Sequence, residues 1–309
     1  MAQKNLMKRH LKVVMNKKRL LYTIYNLLHP FLYPICLKGI YFKNMGKLLN
    51  LHNPKLFTEK IQWLKLYDNL PIKTTLSDKI LVREWAQSLI PELKFPKIYT
   101  IADSFEGLEF EKCPQNFLIK TNHAWKQNYL VKGKEKFLSD IDLFNKTKLL
   151  FSYYLSKHFA FESGFELQYK NIRRKIYVEE IIGNCDTLLS LDYKVSCFNG
   201  EPKIVEHYSV KMKEKSAYMV CWDENRNRLE YSNILPLSIE PNISVPNCFE
   251  KLLEYSKILS KDFKFVRVDF IVNNDEIYFS EMTFTPSSGF IRFQPEYWNE
   301  ILGDMLNLK

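Results

Sequence analysis

The sequence predicts an α+β protein built from two or three packed lobes. Stretches with strand-like and helix-like patterns alternate along most of the chain, which favours α+β lobes over a helical bundle. The 309 residues are 46% hydrophobic and 26% charged, so there is enough apolar material for that many cores. Asn199-Gly200, placed between two apolar runs, is a strong hairpin signal and adds antiparallel sheet to the prediction.

Helices are predicted from apolar residues at helical spacing and from caps. The stretch 58–67 places Ile61, Leu64 and Tyr67 on one side, and the stretch 79–89 follows the capping pair Ser77-Asp78. Further helices are expected over 139–160, 247–261 and 295–308. Strands are predicted over 97–101, 116–120, 128–131, 175–182, 188–197, 202–208, 265–272 and 276–284.

The hairpin over 265–284 is the most informative stretch. Because strand side chains alternate, Arg267 and Asp269 share one face of the first strand, and Glu281 lies on one face of the second. A three-residue loop at 273–275 would make these the same face, with Arg267 opposite Glu281, whereas a two-residue loop would separate them. Burying such charges costs on the order of a few kcal/mol per ion unless they are paired or metal-bound. The hairpin therefore predicts either a charged functional site or an exposed, solvated ion pair.

Residues 1–50 account for the net charge of the chain. They contain ten Lys or Arg and no acid, whereas residues 51–309 hold 35 basic and 35 acidic residues. A neutral body with a basic arm disfavours a nucleic-acid partner. Asn26, Pro30 and Pro34 interrupt the apolar stretch 20–42, which disfavours both a membrane span and a signal peptide. Residues 1–45 are predicted either to bind an anionic membrane surface or to form a solvated arm with a helix packed on the body.

Several classes of site have no support. The six cysteines include no CxxC pair, the six histidines show no HxxxH spacing, and the chain has neither a Gly-rich dinucleotide motif nor a GxxxxGK[ST] loop. A disulfide framework and a His- or Cys-based metal site are therefore not expected. A reducing cytoplasm fits the cysteine usage best.

Eight blocks of sequence occur in an order shared with a known superfamily. They are NPKLFTEKIQWLKLYD, SDKILVREW, FLIKTNH, QYKNI, YVEEII, DYKVSCFNGEPKIV, KDFKFVRVDF and SEMTFTPSSGF. In this order they resemble the ATP-grasp superfamily, and most closely its TupA-like branch, the teichuronopeptide-biosynthesis-like proteins of bacterial surface polysaccharide loci. The resemblance covers the chain from about residue 51 to its end.

The resemblance implies an ATP-grasp fold, in which two α+β lobes enclose the nucleotide and a mainly helical N-terminal region precedes them. The expected divisions are 1–50 for the basic, apolar segment, 51–114 for the N-terminal helical or α+β region, 115–185 for the nucleotide lobe and 186–309 for the C-terminal lobe. The cofactors implied are ATP and Mg²⁺.

The resemblance also implies roles for particular residues. Asp269 and Glu281 correspond to the Mg²⁺ carboxylates, Arg267 to the cation beside the transferring phosphate, and Ser288 to the loop that approaches the acyl phosphate. The residues expected to bind the nucleotide are Lys79, Lys120, Lys126, Glu179, Glu180, Ile182 and Lys194.

The loop after Asn122-His123 departs from the family pattern, which is usually glycine-rich. Here it reads Ala124-Trp125-Lys126-Gln127, although glycine is what lets backbone N–H groups close over phosphates. Two outcomes are open: Lys126 replaces the missing donors by its charge, or Trp125 blocks the nucleotide. Thr283 also stands where the wider superfamily usually has an asparagine.

By resemblance, the activity would be carboxylate–amine ligation through an acyl phosphate. The acid would be a uronic acid of a capsule or other surface glycan, or of its nucleotide- or lipid-linked precursor, and the amine a small amine or amino acid. Phosphoryl transfer of this kind depends on positioning and charge, so it needs no Ser, Cys or His nucleophile. The alternatives left open are a glycosyltransferase of polysaccharide biosynthesis and a catalytically degenerate ATP-grasp scaffold.

Overall fold

The computed structural model describes residues 24–25, 27–162, 164–183, 191–211, 216–233 and 243–309, with the backbone alone at 209–211 and 216–218. The N-terminal arm before residue 24, the start of the strand predicted over 188–197 and the expected lobe boundary at 185 lie outside these residues. None of the helices in this described part has the length and apolar character needed to cross a bilayer.

In the part of the chain that the structure describes, the helices before the first sheet include α1 (Tyr33–Met45), α2 (Phe57–Tyr67), α3 (Ile72–Ser77) and α4 (Leu81–Leu89). Helix α1 ends at Gly46, whose φ of 71° is the left-handed conformation that glycine adopts most readily. Its buried side chains, Tyr33, Leu37 and Tyr41, form one core with α7 (Phe159–Glu162).

The first sheet has four antiparallel strands in the order β1-β4-β2-β3. These strands are β1 (Ile98–Ala102), β2 (Asn116–Thr121), β3 (Asn128–Lys132) and β4 (Ile176–Glu179). Phe117, Ile119 and Val178 pack on helices α5 (Lys134–Ser139) and α6 (Ile141–Leu155). Because side chains alternate, the opposite face of this sheet carries Lys120 and Glu179.

The second sheet has six antiparallel strands in the order β10-β9-β5-β6-β7-β8. They are β5 (Asp192–Phe198), β6 (Glu201–Lys211), β7 (Ser216–Asp223), β8 (Arg228–Leu229), β9 (Phe265–Asn273) and β10 (Glu276–Thr283). One face packs on α8 (Phe249–Ser260), with Val195, Val268 and Phe279 in the core. On the other face, α2 and α9 (Trp298–Met305) cover one end through residues such as Phe57 and Leu302. The rest of that face carries charged side chains.

The predicted fold class, α+β with a helical N-terminal region, is confirmed, but several predicted elements were wrong in extent. The helix expected over 139–160 begins at Ile141, because the Asp140 carboxylate accepts a hydrogen bond from Leu143 N at 2.9 Å and caps it, and it ends at Leu155, before α7 begins at Phe159. The helix expected from residue 79 begins at Leu81, because Asp78 accepts from Ile80 N and Leu81 N in the preceding turn. The strand expected over 175–182 ends at Glu179, and the helix expected from 295 begins at Trp298.

The loop of the β9–β10 hairpin was also predicted wrongly. Asn273 pairs with Glu276, so the loop has two residues rather than three. Asn274 and Asp275, the loop residues, have φ values of 52° and 61°, as a tight hairpin turn of this length requires. A regular ladder from this turn would place Glu281 on the face opposite Asp269.

A bulge restores the expected arrangement. The pairing shifts by one residue between Phe279 and Glu281, so Ser280 is the extra residue, and Glu281 then lies directly opposite Asp269. Thr283, rather than Glu281, pairs with Arg267. The predicted three-residue loop is wrong, but the two carboxylates, Asp269 and Glu281, still share a face.

Candidate functional site

The charged faces of the two sheets enclose one large cleft. Its volume is about 1900 Å³, and its walls include Lys120 and Glu179 from the first sheet and Lys194, Asp269 and Glu281 from the second. Helix α1 also contributes to the rim, through Cys36, Ile40 and Lys43 among others. The cleft therefore lies between the lobes, where residues distant in sequence meet.

Asp269 is the centre of the charged cluster on the second sheet. It is 2% exposed, and its two carboxylate oxygens each accept from Arg267, through Nε at 2.6 Å and Nη2 at 2.6 Å. Lys194 Nζ donates to the same carboxylate at 2.8 Å. These contacts arise from register, because Lys194 on β5 pairs with Asp269 on β9. The bidentate geometry fixes the guanidinium in the plane of the carboxylate.

The cation that pairs with Glu281 comes from outside the sheet. Lys79 Nζ lies 2.7 Å from its Oε2, and Lys79 is held in place by a backbone bond from its own N–H to Asn122 O at 3.1 Å. Burial raises the pKa of Glu281, but the nearby Lys79, Lys194 and Arg267 charges outweigh it and hold that pKa at about 2. Glu281 is therefore ionised at neutral pH.

Arg267 and Lys194 are also held in their charged forms. Burial lowers the pKa of Arg267 and of Lys194, but in both cases the adjoining Asp269 carboxylate reverses the effect and raises it. Each carboxylate of this cluster already has at least one cation beside it in the protein alone. A phosphate could compete for the cations and a metal ion for the carboxylates, because each offers a partner of the right sign.

Mg²⁺ fits the carboxylates of this face. Asp269 and Glu281 offer hard oxygen atoms from directly paired positions, and Mg²⁺ is usually bound by one or two carboxylates together with substrate phosphates and water. Within the ranges that the structure describes, no set of three or more His, Cys, Asp or Glu side chains comes close enough to hold a metal by protein ligands alone. The donor chemistry therefore suits a metal that arrives with a phosphate ligand.

On the first sheet, Glu179 binds two cations. Its carboxylate accepts from Lys120 on the neighbouring strand and from Arg83 on α4. The neighbouring Glu180 differs, because its carboxylate accepts from Lys97 N at 3.0 Å and so binds the backbone just before β1. Ile182 lines the cleft beyond the end of β4. Glu179 and Glu180, predicted as equivalent, thus have different partners.

The loop at 124–127 is closed by Gln127, which accepts from the Thr121 hydroxyl through Oε1 at 2.8 Å and from Thr121 N through its backbone oxygen at 3.1 Å. Lys126 has a φ of 55°, the left-handed conformation that favours glycine. Its ammonium lies 4.6 Å from the centre of the Trp125 ring, and both side chains line the cleft. The backbone thus makes a turn of the kind glycine allows, although no glycine is present.

Ser288 lies in a loop under unusual backbone constraint. Ser287 and Ser288 have φ values of 47° and 53°, and Ser288 is 5% exposed. Lys65 Nζ donates to both Ser288 O at 2.7 Å and Ser288 Oγ at 2.8 Å. The buried Glu166 accepts from the Thr285 hydroxyl in the same loop. The hydroxyl of Ser288, in the loop expected to approach an acyl phosphate, is therefore engaged by a buried lysine.

Three functional candidates were missed by the sequence analysis. Arg83 lies four residues after Lys79, in the helix that was predicted to begin there, and its Nε donates to Lys79 O at 3.2 Å; that spacing could have identified it. Glu206 pairs in register with Lys194, and its carboxylate accepts from Tyr231 at 2.6 Å and Tyr208 at 3.1 Å. Alternation along the strand after Asn199-Gly200 was the available signal for Glu206. Lys65 gave no signal, because it resembles the other lysines of an amphipathic helix.

Searches of solved structures find similar folds at low sequence identity. The D-alanine–D-alanine ligase from Bacillus anthracis complexed with ATP has 16% identity, with 75% of this chain and 63% of that chain covered and a TM-score of 0.42. The chain thus spans a little less than two thirds of that ligase. The D-alanine–D-alanine ligase from Helicobacter pylori has 17% identity, with 81% and 69% covered and a TM-score of 0.40. The ATP-grasp ligase PsnB, complexed with a phosphomimetic variant of its minimal precursor, Mg and ADP, has 9% identity, with 80% and 67% covered and a TM-score of 0.43.

A match to curated proteins is absent. The family model described as TupA-like ATPgrasp, in contrast, matches residues 59–307, which is most of the chain and contains every site residue predicted from the sequence. The resemblance drawn from the sequence blocks is confirmed by that match. The chain belongs to the TupA-like ATPgrasp family.

Proposed function

We propose that the protein is an ATP- and Mg²⁺-dependent carboxylate–amine ligase that forms an amide through an acyl phosphate. The observation that carries this proposal is the charge arrangement in the cleft. Lys79, Lys120, Lys194 and Arg267 converge there with the paired carboxylates Asp269 and Glu281. Family membership raises the expectation that this arrangement serves nucleotide-dependent ligation.

The acceptor we propose is a uronic acid of a bacterial capsule or other surface polysaccharide, or of its nucleotide- or lipid-linked precursor. Its second substrate would be a small amine or an amino acid. The support for these substrate classes is the TupA-like branch to which the chain belongs. A cytoplasmic location is proposed with them, since the described cysteines are free thiols and the reaction consumes ATP.

The chain's own residues would act mainly by charge and position. Lys120 from one lobe, Lys194 from the other and Lys79 from the turn before α4 would bind phosphate oxygens, exchanging their present carboxylate partners for them. Arg267, fixed by its two bonds to Asp269, would stabilise the negative charge of the transferring phosphoryl group. Mg²⁺, when bound by Asp269 and Glu281, would neutralise further phosphate charge.

The loop that contains Ser288 would lie beside the carboxylate acceptor. After the phosphoryl group reaches the acid, an amine attacks the carbonyl carbon, phosphate leaves, and the amine loses a proton. The enclosed cleft would protect the acyl phosphate from water during this second step. No covalent bond to the protein is needed, so the reaction requires no Ser, Cys or His nucleophile, as the sequence analysis expects.

The test is a thermal-shift titration with Mg-ATP on the wild type, Glu281→Gln and Glu276→Gln. Glu276 is the matched control, because it lies on the same strand but pairs with Lys94 at the surface. A ligand at a hundred times its dissociation constant adds about 2.7 kcal/mol of stability. We expect a shift in the wild type and in the control, and a weaker one in Glu281→Gln.

Binding alone would not establish ligation, so a screen of uronic acids and amines follows, with ADP release as the readout. ADP release that requires both an acid and an amine supports the ligase. A thermal shift with a nucleotide sugar but not with ATP would replace the ligase by a glycosyltransferase. No shift with either nucleotide would leave the degenerate scaffold.

A further inference from the structure

An exposed apolar stripe runs along the outer side of the N-terminal helical segment. It consists of Ile24, Leu27, Phe31, Ile35 and Phe42, and we call this set the outer stripe. Ile35 and Phe42 lie seven residues apart on one side of α1, and the other three precede that helix. Their exposure ranges from 46% for Ile24 to 79% for Leu27. Single exposed apolar residues are normal, but several large ones within one short segment indicate a contact surface.

The other sides of α1 face the protein core and the cleft. Tyr33, Leu37 and Tyr41 pack in the core with Phe161 and Phe165. Cys36, Ile40 and Lys43 line the cleft. Because Cys36, Ile40 and Lys43 lie on the same helix as Ile35 and Phe42, this part of the outer stripe runs alongside the edge of the cleft.

Charge indicates what covers the outer stripe. Residues 1–50 contain ten Lys or Arg and no acid, and Lys38 and Lys43 of α1 are exposed. A second copy of this chain would bring like charges together along the same stripe, which disfavours a dimer. An anionic lipid surface offers both an apolar interior for the stripe and opposite charge for the lysines.

We propose that the outer stripe docks on an anionic bilayer surface and holds the edge of the cleft against that surface. The acceptor acid would then be anchored in the same bilayer, so that its acidic group enters the cleft from the membrane side. This statement about the acceptor rests on the proposed ligase function, whereas the docking does not.

The test is co-flotation of the full chain with vesicles of phosphatidylglycerol and phosphatidylcholine in equal parts, and with vesicles of phosphatidylcholine alone. The stripe variant carries Phe31→Glu, Ile35→Glu and Phe42→Glu. The control variant carries Leu81→Glu, Ile141→Glu and Leu149→Glu, three similarly exposed apolar residues elsewhere on the surface. Thermal melts establish that both variants fold, and Mg-ATP thermal shifts, read without vesicles, report separately on the proposed function.

We expect the wild type and the control to float with the anionic vesicles and not with phosphatidylcholine alone. The stripe variant should bind at least about a hundredfold more weakly, because three apolar side chains no longer leave water. Equal flotation of the stripe variant, equal loss in the control, or no flotation of the wild type would overturn the proposal. A wild-type dimer that the stripe mutations dissociate, with no vesicle binding, would also overturn it in favour of a second copy.

Discussion

Removing the ammonium of Lys65 should expose how the loop that contains Ser288 is held. Lys65 is 2% exposed, and besides Ser288 it donates to Gly164 O at 2.7 Å and Gln62 Oε1 at 2.9 Å. Burial lowers the pKa of Lys65 to about 7, opposed by the charge of Glu166. Burial likewise raises the pKa of Glu166, opposed first by Lys65. Each group therefore depends on the other to remain charged.

The loss of folding stability in Lys65→Met depends on the protonation state that Glu166 then adopts. Methionine fills a similar volume but leaves a buried carboxylate without its cation, and breaking such a pair usually costs about 3 to 5 kcal/mol. Glu166 can avoid that cost by taking up a proton, which at pH 7 costs about 3 kcal/mol for a group whose usual pKa is 4.5. We expect Lys65→Met to destabilise the fold by about 3 kcal/mol at pH 7.

The pH dependence has a defined sign. In the variant, the folded state binds a proton at Glu166 that the unfolded chain lacks above pH 4.5. The stability loss should therefore shrink by about 1.4 kcal/mol for each unit of falling pH, until it levels off near pH 4.5. Urea denaturation at several pH values measures this directly.

A second substitution separates the charge effect from lost packing. Lys65→Met with Glu166→Gln removes both charges, so this double variant should be more stable at pH 7 than Lys65→Met alone. Lys60→Met is the matched control, because Lys60 lies on the same helix and donates to Gly303 O and Leu306 O, both carbonyls. The reasoning fails if the loss in Lys65→Met is independent of pH, or if the double variant is no more stable than the single one.

Three further predictions concern Lys126 and Arg267, which line the cleft, and the buried His123. Lys126→Gly should stabilise the loop by up to about 1 kcal/mol, since Lys126 holds a left-handed φ, and a fall in thermal stability would contradict this. His123 is buried, and burial first, then the Arg174 and Lys79 charges, lowers its pKa to about 4. Below pH 6.5, the usual pKa of histidine, His123 therefore binds a proton in the unfolded chain but not in the folded state. Stability should therefore fall by up to about 3 kcal/mol between pH 6.5 and 4, a loss that is absent in His123→Gln denaturation curves. Arg267→Lys keeps the charge but cannot make two parallel bonds to Asp269. We therefore expect Mg-ATP still to shift the melting temperature, while ADP release drops at least about tenfold. Unchanged ADP release would refute this role of Arg267.

The sequence determined the types of residue that reach the cleft. Alternation alone assigned Arg267 and Asp269 to one face of a strand, and both lie on the charged face of the second sheet. Lys120 and Lys194 were likewise assigned to strands from local patterns, and both strands exist. Such predictions succeed because side-chain direction in a strand depends only on the local backbone.

Tertiary structure decided which of these residues meet. The bulge at Ser280 turns Glu281 toward Asp269, although the two-residue turn alone would have separated them. Arg83 on α4 and Lys120 on β2 both contact Glu179 on β4. Lys65 contacts Ser288, which is more than two hundred residues away in sequence. Local patterns do not contain this information, because strand register and lobe closure are set by the packing of distant surfaces. The sequence by itself thus determined the chemistry available to the cleft, and strand register together with the packing of distant elements decided the partners of the charges.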